Sequence, residues 1–233
     1  MERIWLKSYP PGVPADIDPN EFKSLVALFE AGIGKYADRP AFTNMGKTID
    51  YATLDEQSRD FGAWLQAKGL AKGARVAIMM PNCLQYPIAM FGTLRAGCTV
   101  VNVNPLYTPR ELEHQLKDSG AEAIVVLENF GHVLQEVRAK TPLKHIVVTS
   151  LGEMLGLKGL LVNLVVRKVK KMVPPYELPG AVSFREVLDS GKKEKLTTPP
   201  LGHADGAAPQ RPRGDLQRHG AHGKAHLEAP ARR

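Results

Sequence analysis

Short glycine–lysine pairs are the first residues in this sequence whose types and spacing could do chemistry. Gly46-Lys47-Thr48 matches the end of a phosphate-binding loop, in which backbone amides and a lysine surround nucleotide phosphates. Such a loop needs an earlier glycine at a position that Ala41 holds here, and a helix should follow it. The residues are therefore interpreted as the turn of a β-hairpin over 41–51. Ser190–Lys193 fails the same test and is typical of a helix C-terminus.

Histidines and cysteines give no convincing ligand set for a metal. Four histidines fall near the end of the chain: His203, His219, His222 and His226. The last three could share one helical face and bind zinc or nickel weakly, but the Ala-, Arg-, Gly- and Pro-rich segment around them favours an unstructured chain. Cys83 and Cys98 lie outside any CxxC pattern, which predicts reduced thiols. No residue is assigned as catalytic, cofactor-binding or metal-binding.

A basic segment has two interpretations; it consists of Arg167, Lys168, Lys170 and Lys171. The apolar run before it predicts a helix that ends at Pro174 and Pro175. The apolar side of this helix would consist of Leu161, Val165, Val169 and Met172, and the polar side of Asn163, Arg167, Lys170 and Lys171. That side could lie on an anionic membrane surface, or it could pack on the protein and leave the lysines in water. The sequence favours the second interpretation.

Charge and composition limit the class of protein. The net charge of +7 arises after residue 157, because the residues before it nearly balance. A nucleic-acid partner is therefore not expected. The start of the chain has no apolar signal region, and no apolar run is long enough to span a bilayer. The sequence predicts a cytoplasmic chain, with peripheral contact at the inner face of the membrane left open, and it leaves the oligomeric state undetermined.

The elements that would position any site alternate along the middle of the chain. RVAIMM, CTVVNVN, AIVVL and HIVVTS are predicted strands, with helices between them. Alternating strands and helices predict an α/β fold with a mostly parallel sheet flanked by helices. Thr53 with Glu56 and Thr108 with Glu111 are predicted capping boxes, and Gly97 is a predicted helix C-cap.

The stretch MPNCLQYPIAMFGTLRAGCTVVNVNPLYTPRELEHQLKDSGAEAIVVLENF (80–130) resembles the N-terminal region of bacterial long-chain fatty acid–CoA ligases, of the adenylate-forming (AMP-binding) superfamily. IDYATLDEQSRDFGAWLQAKGLAKGARVAI is similar to an earlier block of that family. The resemblance covers about residues 1–203. It implies an extended segment over 1–19, a partial N-terminal α/β domain over 20–203, and an aberrant, disordered tail over 204–233.

The resemblance also implies a function. Members of the family make an acyl-adenylate from a long-chain fatty acid and ATP with Mg, and then pass the acyl group to coenzyme A. They use a phosphate loop of type YTGGTTGxxKG, a later Thr-Glu motif, an aspartate that binds ribose and a catalytic lysine. None of these motifs occurs in the 233 residues. We therefore expect an inactive N-terminal ligase fragment that binds none of these cofactors well.

The ending offers a reason for the missing loop. After TPPLGH, where the family continues into the phosphate loop, the chain reads ADGAAPQRPRGDLQRHGAHGKAHLEAPARR. Such a composition is typical of a GC-rich gene read in a shifted frame, or of a truncation with an unrelated tail. The alternative to a ligase fragment is a non-catalytic α/β module that binds a membrane surface or a partner.

Overall fold

The computed structural model describes residues 3–197 and Pro199. Its helices are α1 Leu25–Tyr36, α2 Tyr51–Ala67, α3 Gln85–Arg95, α4 Pro109–Ser119, α5 Gly131–Val137, α6 Leu157–Leu164 and α7 Phe184–Gly191. Its strands are β1 Pro40–Asn44, β2 Lys47–Asp50, β3 Arg75–Met79, β4 Thr99–Asn102, β5 Ala123–Leu127, β6 His145–Thr149 and β7 Val182–Ser183. A π-helical stretch, Val165–Val169, continues α6, and short 3-10 helices span Ile4–Ser8, Glu128–Phe130 and Arg138–Lys140.

The centre of the fold is a parallel sheet of five strands in the order β4-β3-β5-β6-β7. The four strands predicted from the sequence are its first four members along the chain, and the predicted α/β class is confirmed. The two-residue strand β7 was not predicted. It pairs with Val147 and Val148 of β6, so it extends the sheet over only part of that edge.

The sheet is buried on both faces, and alternate residues of each strand belong to different cores. In β3, Val76 and Ile78 pack into one core with α2, α3 and α7, whereas Ala77 and Met79 pack into the other with α4 and α5. This explains why the strands are continuous apolar runs and do not alternate with polar residues.

The larger core is closed by a helix from late in the chain. Phe184, at the start of α7, stacks on Phe61 of α2 with 5.6 Å between the ring centroids, and both rings are fully buried. Helices α2 and α3 approach closely where Gly92 faces the Ser58 carbonyl. Glycine is needed at this position because a β-carbon there would collide with that oxygen. These contacts fix one helical layer against the sheet.

Two of the predicted caps are confirmed and one is wrong. Thr108 and Glu111 form the capping box of α4, and Gly97 follows α3 with φ of 78°. Helix α2, however, begins three residues earlier than predicted: Asp50 is its N-cap and accepts from the Thr53 amide at 2.7 Å. An aspartate caps as well as a threonine does, and the strand before it ends at that residue.

The glycine–lysine pairs lie where the hairpin and helix interpretations place them. Met45 and Gly46 both have positive φ between β1 and β2, as a tight hairpin turn requires. Gly191 ends α7 and Lys192 caps it. Neither segment forms a phosphate loop.

The predicted tail over 204–233 and the histidines from His203 onward lie outside the described residues. Within the predicted extended segment 1–19, the described residues include the 3-10 helix at Ile4–Ser8.

The capping box of α4 gives a stability test of the fold. We expect Thr108→Ala to lower the free energy of unfolding by about 1 kcal/mol, because the Glu111 amide loses its acceptor. Thr108→Ser keeps the hydroxyl and should cost only a small fraction of that. Urea unfolding followed by circular dichroism measures both; equal losses in the two variants would contradict the role of the hydroxyl.

Candidate functional site

Polar side chains gather at the carboxyl end of the parallel sheet, and an ion pair is at their centre. Glu128 directly follows β5 and is 5% exposed. Its carboxylate accepts three hydrogen bonds from Arg167: Nε donates to both oxygens at 3.0 Å, and Nη2 donates to Oε2 at 2.7 Å. The hydrogen bonds to Glu128 raise the pKa of the Arg167 guanidinium. This geometry neutralises a charge that is almost completely removed from water.

A second polar network starts at the end of β6. The buried Gln85 donates through Nε2 to Thr149 Oγ1 at 2.9 Å, and the Thr149 hydroxyl donates to Glu153 Oε2 at 2.6 Å. The other carboxylate oxygen of Glu153 accepts from the Arg185 amide at 2.9 Å. Glu153 thereby links the end of β6 to the start of α7.

A cleft of about 520 Å³ opens between these networks. Its charged lining residues are Glu128, Glu153, Arg167 and Arg185. Arg167 is held by Glu128, and Arg185 donates to the Glu153 carbonyl oxygen at 3.3 Å. Both guanidinium groups of the cleft are therefore engaged by protein oxygens.

The described residues do not fit the triphosphate or Mg that the family implies. Both guanidinium groups of the cleft are engaged by protein oxygens, and within residues 3–197 there is no group of three or more His, Cys, Asp or Glu side chains placed to hold a metal. No step of a reaction is therefore assigned to this part of the chain.

Groups that could act as nucleophiles have pKa values shifted toward unreactive forms. Burial raises the pKa of Cys98 to about 11, with a smaller contribution from Glu122, and burial also raises the pKa of the Cys83 thiol. Burial raises the pKa of Tyr176 beside Glu128. Because thiols and phenols attack as anions, none of the three is activated at neutral pH.

Helix α6 is oriented opposite to the favoured interpretation of the sequence. Asn163, on its polar side, faces the protein: Oδ1 accepts from the Gly152 amide at 2.8 Å and Nδ2 donates to Ser150 Oγ at 2.9 Å. The leucines face outward, and Leu157 and Leu160 are 88% and 70% exposed. The expected packing on the protein is wrong for Leu161 and Val169, which are 63% and 69% exposed, because the adjoining end of the sheet is polar and binds Asn163. The expectation that the lysines lie in water is confirmed. Like the other described helices, α6 is not long and apolar enough to cross a membrane.

The basic residues singled out from the sequence are separated by the structure. Lys168, Lys170 and Lys171 are exposed, and no carboxylate in the described part of the chain pairs with them. Arg167 instead reaches inward to Glu128. Three of the four residues therefore form a surface, and the fourth anchors it.

Sequence reasoning missed Glu128 and Glu153, and it placed Asn163 on the side of the helix that was expected to face away from the protein. A signal was available for Glu128, since a charged residue directly after the uninterrupted apolar strand AIVVL must lie at a buried sheet end and needs a cation. Asn163 had no such signal, because one amide in an apolar helix does not show which side faces the protein.

Comparisons with a family model and with curated relatives agree on one family of proteins. The family model described as AMP-binding enzyme matches residues 29–178. The long-chain-fatty-acid–CoA ligase of Yersinia pestis is 55% identical over 209 residues, which cover 89% of this chain and 37% of that protein. The corresponding ligase of Haemophilus influenzae is 50% identical over 207 residues, 88% of this chain and 37% of that protein. The chain thus spans little more than a third of these relatives.

Solved structures share the fold at low identity. A long-chain-fatty-acid–CoA ligase from Archaeoglobus fulgidus superposes with a TM-score of 0.57 at 23% identity, covering 81% of this chain and 34% of that one. A putative long-chain-fatty-acid–CoA ligase from Rhodopseudomonas palustris gives 0.62 at 16% identity, covering 80% and 40%.

The ion pair at the sheet end can be tested by a double-mutant cycle. Arg167→Met should lower the free energy of unfolding by about 2 kcal/mol, because it leaves the buried Glu128 carboxylate without its partner. Glu128→Gln combined with Arg167→Met removes the buried charge and should recover part of the loss. Urea unfolding of the wild type, both single variants and the double variant measures the coupling; strictly additive losses would show that the pair does not couple.

Proposed function

Because the chain belongs to the family of AMP-binding enzymes, we propose that it is the N-terminal part of a long-chain fatty acid–CoA ligase. The observation that carries the proposal is the 55% identity over 209 residues to a ligase of that name. The solved structures support the α/β fold of this N-terminal part. They do not support a substrate, since their sequence identities to the chain are low.

The proposed reaction has two steps. A fatty acid carboxylate oxygen attacks the α-phosphorus of ATP, forming an acyl-adenylate and releasing pyrophosphate. The thiolate sulfur of coenzyme A then attacks the acyl carbon, forming the thioester and releasing AMP. Mg would accompany ATP by neutralising phosphate charge. Such a ligase would work in the cytoplasm, where ATP and coenzyme A are present.

In this proposal the 233 residues supply scaffold and not chemistry. The sequence contains no YTGGTTG-type loop, and both arginines of the cleft are engaged by protein oxygens. Stabilising the transferred phosphate needs donors aimed at it before the reaction starts. We therefore propose that the 233 residues alone do not form an acyl-adenylate.

A second candidate is a non-catalytic α/β module that binds a surface or a partner. The outward leucines of α6 favour it, since exposed apolar residues that adjoin one another mark interaction sites. The two candidates differ in whether residues 3–197 can replace the matching segment of an active ligase.

A chimera separates the candidates. Residues 3–197 replace the matching segment of the Yersinia pestis ligase, and palmitoyl-CoA formation is measured with ATP, Mg and coenzyme A. We expect activity within about tenfold of the parent, which corresponds to at most ~1.4 kcal/mol in the barrier. The 233-residue chain assayed alone should release no pyrophosphate above the blank.

The chimera carrying Phe184→Ala serves as the control, because loss of that buried ring should unfold the graft. A folded chimera without activity would reject the ligase proposal, and pyrophosphate release by the 233 residues alone would reject the proposed inactivity.

We also propose that the sequence after His203 comes from a shifted reading frame. Its composition supports this, because it has no Val, Ile, Phe, Met, Tyr or Trp, unlike the residues before it. Sequencing the coding DNA and translating every frame should show a strand and a YTGGTTG-like loop continuing from the codons of TPPLGH. Stop codons in every other frame would exclude the shift.

A further inference from the structure

The segment that follows α7 is attached to the two helices that cover the larger core, α2 and α3. It consists of Leu196, Thr197 and Pro199, which we call the connecting segment. These residues lie outside any helix or strand, and Leu196 and Pro199 are half-buried. Because no ladder of backbone hydrogen bonds guides the connecting segment, its contacts with the helices determine its course.

A single side chain, that of Gln66 on α2, binds the amide and the carbonyl of Thr197. Its Oε1 accepts from the Thr197 amide at 2.9 Å, and its Nε2 donates to the Thr197 carbonyl oxygen at 2.7 Å. The same Nε2 donates to the Ala96 carbonyl oxygen, at the end of α3, at 3.3 Å. A side-chain amide that pairs with both backbone groups of one residue acts as a neighbouring β-strand would. It therefore fixes the position and the direction of the chain at Thr197.

Two glycines let the connecting segment approach the helices. A β-carbon at Gly62 of α2 would lie 3.2 Å from Cδ1 of Leu196, which is closer than ordinary packing allows. A β-carbon at Gly97, just after α3, would collide with the ring of Pro199. The connecting segment is therefore held by apolar contacts on either side of the Gln66 hydrogen bonds.

The hydrogen bonds from Gln66 position a distant part of the chain on a rigid support. Gln66 and Thr197 are 131 positions apart, so these bonds do not stabilise α2 itself. Trp64 and Leu65, directly before Gln66, are buried in the larger core and fix this turn of the helix. A group held on a packed helix positions its partner more accurately than a group on a loop does.

We propose that Gln66 is a positioning residue for the phosphate loop of the intact ligase. The inference rests on the proposed ligase function, in which TPPLGH continues into that loop. Thr197 directly precedes TPPLGH, and Pro199 is part of it. A phosphate loop stabilises the transferred phosphate when its donors are aimed before the reaction starts. Gln66 acts through the backbone of Thr197, which fixes the chain on its way into the loop.

A purely structural role for Gln66 predicts a different result. Loss of an attachment that stabilises the fold alone would lower both steps of the ligase reaction in proportion to the folded fraction. Loss of an attachment that positions the loop should slow acyl-adenylate formation, since the loop acts on the phosphate. Thioester formation from an adenylate that is supplied ready-made should then continue, because no phosphate is transferred in that step.

The chimera with the Yersinia pestis ligase tests the proposal, because its junction after Thr197 leads into that ligase's own loop. Gln66→Met removes the hydrogen bonds to Thr197 and keeps the length of the side chain. We expect palmitate-dependent exchange of pyrophosphate into ATP to fall roughly tenfold, because a small misplacement of the loop weakens its hold on the transition state. Thioester formation from synthetic palmitoyl-adenylate and coenzyme A should change by less than about twofold. Gln66→Glu keeps the acceptor for the Thr197 amide and should give an intermediate exchange rate.

Gln135→Met in the same chimera is the matched control. Gln135 Oε1 accepts from the Glu177 amide at 2.6 Å, so this change also breaks a bond between a helix side chain and a distant backbone amide. Helix α5, which carries Gln135, packs in the core on the opposite face of the sheet from α2. We therefore expect Gln135→Met to leave pyrophosphate exchange nearly unchanged.

The attachment itself is tested in the full 233-residue chain by hydrogen exchange. The Thr197 amide should exchange roughly tenfold more slowly in the wild type than in Gln66→Met, because the bond to Gln66 must open first. Gln135→Met should leave the exchange of this amide unchanged.

The outcomes separate the role of Gln66 from the ligase function on which it rests. A folded wild-type chimera without activity would reject both. An active wild-type chimera in which Gln66→Met does not slow pyrophosphate exchange would reject the role of Gln66 alone. An equal fall in the two steps, or a Thr197 amide that exchanges equally fast in wild type and Gln66→Met, would also overturn that role.

Discussion

The fold depends on a parallel sheet that excludes water from both faces. Its strands can then carry only apolar side chains, and helices must cover each side. Polar residues are displaced to the strand ends, where Glu128 follows β5 and Thr149 ends β6. A charge in that position needs a partner from another element. Arg167 supplies it from the π-helical stretch that continues α6, and the orientation of the helix follows from that pair. The outward position of the α6 leucines is thus an indirect result of the buried sheet.

The sequence predicted the sheet well because each strand is determined by its own composition. The capping box at Thr108 was also predictable, since donor and acceptor lie within one turn. The start of α2 was not, because Asp50 and Thr53 are both good caps and only the end of β2 decides between them. The side of α6 that faces the protein depends on Glu128, which lies 39 positions from Arg167. Periodicity finds the two sides of a helix, but only the neighbour decides which side is buried.

In this chain, the residues that show its family are not residues that could carry out a reaction. The family is evident from residues that build the sheet and its helices, and the chain is 55% and 50% identical to the two ligases compared above. The polar groups of the cleft, in contrast, hold β6, α6 and α7 to one another. Glu153 alone accepts from Thr149, the Ser150 amide and the Arg185 amide. A carboxylate engaged in this way stabilises a fold and has little capacity left to bind a substrate.

The packing of α7 on α2 has a consequence for synthesis of the chain. Lys192 Nζ meets Glu56 Oε1 at 2.9 Å although the two residues are 136 positions apart, and Phe184 fills the same interface. As the chain leaves the ribosome, α2 and the first strands emerge long before α7 does. The core on that face must therefore wait, with Phe61 uncovered, until residues near 190 have cleared the exit tunnel. During that interval a chaperone that binds exposed aromatic side chains would have its best opportunity to engage the nascent chain.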